Sequence, residues 1–81
     1  MIAALVEYVV QQLVENPAES SVRVEHNADT LVVHIAVNQK ERGRIIGRDG
    51  QTIKALRAFL STLVAPEVHV SIELTHPHTQ S

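Results

Sequence analysis

The apolar positions of this chain change their period several times, and each change marks a new element. From Ile2 to Glu15, the residues Ile2, Leu5, Val6, Val9 and Leu13 recur at the three- and four-residue spacing of a helix. Asn16-Pro17 ends the pattern, because the residue before a proline avoids helical backbone. Ala3, Val10 and Val14 widen the apolar arc beyond what one core needs, and the extra width reads as a subunit contact. Val22 and Val24 then alternate with Arg23 and Glu25. After Asn27-Ala28-Asp29, residues that tolerate turn conformations, Leu31, Val33, Ile35 and Val37 alternate with Val32, His34 and Ala36. Two such runs joined by a short turn predict a hairpin. A third alternating run follows Pro66, with Val68, Val70, Ile72 and Leu74 against His69, Ser71 and Glu73.

Between the hairpin and the last strand the helical period returns twice, over Lys40–Ile46 and Gln51–Val64, separated only by Gly47-Arg48-Asp49-Gly50. Ile53, Leu56, Leu60 and Leu63 form the apolar stripe of the second helix, with Phe59 beside it and Lys54, Arg57 and Ser61 on the neighbouring polar stripe. One-sided strands and amphipathic helices pack most simply as two layers. The expectation is an α+β fold of order αββααβ, a three-stranded sheet covered on one face by three helices. Residues 1–74 form its single domain. Residues 75–81, with Pro77 and no apolar side chain, have nothing to bury and are expected to be disordered.

Charge then locates a function. Six of the chain's 7 Lys and Arg residues lie between Lys40 and Arg57 in a protein of net charge −2. A polyanion has one landing place, and it surrounds the glycine turn. A short turn between two helices presents the free N–H groups of the second helix, where the helix dipole also favours an anion. Glycine at 47 and 50 permits positive φ and removes the Cβ atoms that would hold a sugar-phosphate chain off the backbone. Arg48 at the tip is positioned to donate to a phosphate, Lys54 and Arg57 to reach outer phosphates, and Ile45, Ile46 and Ile53 to offer apolar surface near a base, with at least one of the three serving the core instead. Lys40, Arg42 and Arg44 fit a solvated helix face taken singly, and Arg44 joins the candidate site by its nearness to the turn. Asp49 sets a carboxylate inside the loop, which either repels phosphate or caps the following helix.

Ile45-Ile46-Gly47-Arg48-Asp49-Gly50-Gln51-Thr52-Ile53 resembles the I-I-G-x-x-G-x-x-I core of KH domains, in which a GXXG loop clamps about four nucleotides of a single strand. Element order and length resemble the small bacterial single-KH proteins of the KhpA family. The resemblance implies a type II KH fold with a mixed sheet, first and third strands parallel, and an RNA chaperone or post-transcriptional regulator. It implies RNA-binding residues at Gly47, Arg48, Asp49, Gly50, Lys54, Ile46, Ile53, Arg44 and Arg57. The single-stranded RNA is expected in a groove bordered by the glycine turn and the second strand. The implied partners are a second copy in a homodimer and a larger KhpB-like protein carrying Jag and KH domains, with roles in cell elongation and envelope homeostasis. The rival expectation is a protein-contact adaptor of the same fold.

Other chemistries find no support in the pattern. Absence of cysteine removes disulfides and thiol catalysis and fits a cytoplasmic location, and the start of the chain lacks the basic region of a signal peptide. No apolar run approaches the roughly 18 residues of a membrane span. His34, His69, His76 and His78 lack the fixed spacing of a metal site, and neither a Ser-His-Asp set nor a P-loop spacing occurs. No cofactor and no enzymatic activity are expected.

Overall fold

The computed structural model describes residues 1–77. Helix α1 spans Ile2–Leu13 and ends where Val14 turns extended, at φ −97 and ψ 158. It stops two residues short of the expected end because the next two N–H groups go elsewhere: Glu15 and Asn16 donate to the carboxylate of Glu41 at 2.9 and 3.0 Å. The helix turns Val6 and Val10 into the core, and Val14, just past its end, is buried there as well. Val10 and Val14, read from the sequence as surplus for a subunit contact, are therefore interior residues of this chain.

Strand β1, Ser21–His26, pairs antiparallel with β2, Thr30–Ala36, from Ser21 opposite Ala36 to His26 opposite Leu31. Strand β3, His69–Thr75, runs parallel to β2, from Thr30 opposite His69 to Ala36 opposite Thr75. The sheet order β1-β2-β3 makes the first and third strands antiparallel to each other, which corrects the expectation that they are parallel. The connections require it. A three-residue turn joins only antiparallel neighbours, whereas the helical excursion between β2 and β3 is long enough for a parallel crossover. Of the tail expected from residue 75, Thr75 belongs to β3, and residues 78–81 lie outside the described residues.

Alternate residues of β2, namely Leu31, Val33 and Ile35, are buried and meet Val70 of β3 and the apolar stripes of the helices. A 3-10 turn, Gln39–Glu41, leads into α2, Arg42–Ile46, which buries Ile45 completely. Helix α3, Gln51–Ser61, buries Leu56 and Leu60. It ends before Val64 because Ser61 and Thr62 turn their hydroxyls back onto the carbonyls of Arg57 and Phe59, at 3.0 and 2.6 Å. On the sheet's helix-free face, Arg23 pairs with Glu25 at 2.7 Å, and the His34 ring lies 3.3 Å from Glu25 and 3.5 Å from Glu73. The hydrogen bond from Arg23, with a second involving His34, holds the Glu25 carboxyl below its ordinary pKa.

Candidate nucleic-acid interface

Helix α2 closes when the Gly47 N–H donates to the Gly43 carbonyl at 2.8 Å. Gly47 then turns to φ 79, ψ 173, a region essentially reserved for glycine. Asp49 and Gly50 follow in left-handed backbone, at φ 57, ψ 25 and φ 73, ψ 15. Gly50 N–H donates to the Gly47 carbonyl at 3.1 Å, and Gln51 N–H to that of Arg48. Among the described residues the N–H groups of Arg48 and Asp49 make no backbone hydrogen bond. Two donors at the head of α3 are thus left for a ligand.

The two glycines differ in what surrounds them. A Cβ built on Gly47 would lie 2.2 Å from the Thr52 hydroxyl oxygen and 2.9 Å from the Thr52 nitrogen. A Cβ on Gly50 would meet only Lys54 Cε, at 3.8 Å. Thr52, absent from the residues singled out by sequence, therefore shapes the loop from one turn into α3. Of the two readings of Asp49, the cap is not formed: Gly50 holds the α3 N-cap position, and no side-chain cap bond is made among the described residues. Asp49 instead occupies a left-handed position that aspartate tolerates better than most residues.

The basic segment splits into two groups. Arg44 Nη2 lies 3.1 Å from Glu15, and its Nε 3.4 Å from Glu41. Glu41 is 5% exposed and receives the Glu15 and Asn16 N–H bonds as well. The Glu15 N–H bond, helped by Asn16, Arg44 and Lys40, outweighs the opposing effect of burial and keeps the Glu41 carboxyl below its ordinary pKa. Arg44 is thus tied to the exit of α1. Arg48, Lys54 and Arg57 are exposed and, among the described residues, free of ion pairs. Ile46 is 36% exposed and Ile53 half-buried, so both stay available beside the loop while Ile45 is core. Strand β2, expected to border the groove, is paired along both edges, and the free sheet edge on the α3 side belongs to β3.

A layer of helices on an αββααβ sheet, with a Gly-x-x-Gly turn heading its last helix, defines a KH-type domain. The family model for the KhpA/KhpB KH domain matches residues 3–75. Among curated proteins, the chain is 34% identical over 68 residues to RNA-binding protein KhpA of Chlamydia trachomatis, covering 83% of this chain and 87% of that one. It is 33% identical over 70 residues to RNA-binding protein KhpA of Thermotoga maritima, covering 86% and 93%. To RNA-binding protein KhpA of Streptococcus pneumoniae it is 32% identical over 56 residues, covering 69% and 71%. No solved structure gives a significant match. The chain belongs to the KhpA/KhpB KH-domain family.

Proposed function

We propose that this protein binds single-stranded RNA through the Gly47–Gly50 loop and acts as an RNA chaperone or post-transcriptional regulator in the cytoplasm. The observation that carries the reading is the coincidence of two backbone donors, on Arg48 and Asp49, with the three cations Arg48, Lys54 and Arg57, all without partners among the described residues. The names of the relatives, each an RNA-binding protein, support it. Backbone phosphates take the N–H groups and the cations, while Ile46 and Ile53 lie under a base. No aromatic side chain sits beside the loop to stack, so sequence preference is weak. Arg44 holds α2 to α1 and contributes little contact to RNA. The test is salt. Three phosphate contacts on a single strand give a logarithmic slope of affinity against salt near −2, and a flat response contradicts phosphate clamping.

The second reading, a protein-contact module, rests on a separate feature. Met1, Ile2 and Leu5 of the α1 end, Val24, Leu31 and Leu63 line an apolar groove of about 700 Å³. It lies beyond the C-terminal end of α3, while the glycine loop heads the same helix. A homodimer contact or a KhpB-like partner is assigned to this end, so that partner and RNA are held at once. Leu63→Glu, with sedimentation and RNA binding measured together, separates the readings: loss of assembly with RNA affinity intact supports two independent surfaces. Loss of RNA binding without change of assembly contradicts them.

A further inference from the structure

We infer that Glu41 is a positioning residue for RNA binding: its carboxylate clamps the head of α2 to the exit of α1 and so sets where the N–H groups of Arg48 and Asp49 point. The inference rests on the RNA reading above, and in it Glu41 touches no ligand.

Helix α2 carries the loop, yet little in its own sequence holds it still. Five residues are far fewer than the roughly 12 an isolated helix needs, and among the described residues no side-chain bond caps its head at Glu41. The Gly47 N–H closes α2 on the Gly43 carbonyl, so the turn that follows inherits the direction α2 takes. In the 3-10 turn and α2 together the buried residues are Glu41 and Ile45, four positions apart on one face. Ile45 alone fixes a point and leaves α2 free to roll about it, because apolar contact has no direction. Glu41 supplies the direction. It accepts the N–H groups of Glu15 and Asn16 at 2.9 and 3.0 Å, across 26 and 25 residues of chain, with Arg44 Nε 3.4 Å away. All three contacts are donors, so a carboxylate fits and an amide does not: glutamine would turn its NH2 toward one of them.

The experiment compares Glu41→Gln, Glu41→Asp and Arg48→Glu in the full chain. Affinity for a short fluorescein-labelled oligouridine is read by anisotropy at neutral pH, and folding by thermal melting. Aspartate keeps the charge but is one methylene too short to reach both N–H groups. Both Glu41 variants are expected to melt cooperatively, below the wild type, and affinity is read well under those melts, where a merely structural role leaves it unmoved. It should fall by about tenfold, as when a loop keeps its binding geometry about a tenth of the time. Plain electrostatics predicts the opposite for Glu41→Gln, since removing a carboxylate favours an anion. In the ligand-free Gln variant the amide resonances of Arg48, Asp49 and Gly50 should move while those of β2 stay. The inference is overturned if the folded Glu41 variants bind like the wild type while Arg48→Glu does not, or if the loop amides stay in place. It is also overturned if neither Glu41 variant melts cooperatively, which makes the residue one of the fold alone. If Arg48→Glu binds as well as the wild type, the RNA reading itself fails and takes this inference with it.

Discussion

The basic residues before the glycine loop and those in or after it are equal in number, yet the fold gives them different surroundings. Lys40, Arg42 and Arg44 precede the loop; Arg48, Lys54 and Arg57 lie in it or beyond it. In the first group Arg44 is drawn to Glu15 and Glu41, and Arg42 buries its Nε without a hydrogen-bond partner among the described residues. In the second group every cation is exposed and unpaired among the described residues. A cation already facing carboxylates adds little field for a distant phosphate, so Arg44 counts for less at the loop than its nearness in sequence suggests, whereas Lys40 makes no ion pair among the described residues. Basic charge near a binding loop is a guide to function only after its partners elsewhere in the chain are known.

The largest break in this arrangement comes from Gly47→Ala. A Cβ at 2.2 Å from the Thr52 hydroxyl forces a shift, and the glycine-only backbone costs about 1–3 kcal/mol by itself. In a domain whose whole stability is of the order of 5–15 kcal/mol, melting should fall steeply and RNA binding with it. Next in size is Arg48→Glu, which turns the loop-tip cation into a second carboxylate beside Asp49. RNA affinity should drop by about tenfold or more with the melt unchanged, as anisotropy and calorimetry would show.

Glu41→Gln probes the other group. The folded carboxyl titrates below its ordinary value of 4.5, so its contribution to stability is present in full above that value. It is lost as the pH falls through the lower folded value. Denaturant melts of the wild type should therefore lose stability below about pH 4.5, and the Gln variant should lose less over the same window while starting lower at neutral pH. The smallest effect is expected of Arg44→Gln. Its ion pairs are half-exposed, worth roughly 0–1 kcal/mol, and its RNA affinity should stay within about twofold of the wild type. A loss as large as that of Arg48→Glu would erase the distinction between the groups.

Much of this fold is legible from the pattern of side chains. The alternation of β2 names its buried face residue by residue, because the period of a strand is strict and one face meets the core. Helix α1 is harder. Its apolar residues surround most of the cylinder, so the period marks a helix without telling that Val6, Val10 and Val14 point inward. Strand direction depends on the connections, and resemblance misled where a short turn and a long crossover give the answer. At the site, the glycines, Arg48, Lys54 and Arg57 are evident from spacing and charge. The Glu15–Arg44–Glu41 cluster is not, since it joins residues far apart in the chain, and Thr52 is hidden because its part is to fill the volume that Gly47 lacks.

The most direct measurement is an NMR titration of the uniformly labelled protein with a short single-stranded RNA. The largest amide shifts should fall on Arg48, Asp49, Gly50 and Lys54, with Glu41 through Arg44 nearly still. Shifts centred on Arg42 and Arg44, or no response anywhere in the loop, would contradict the account.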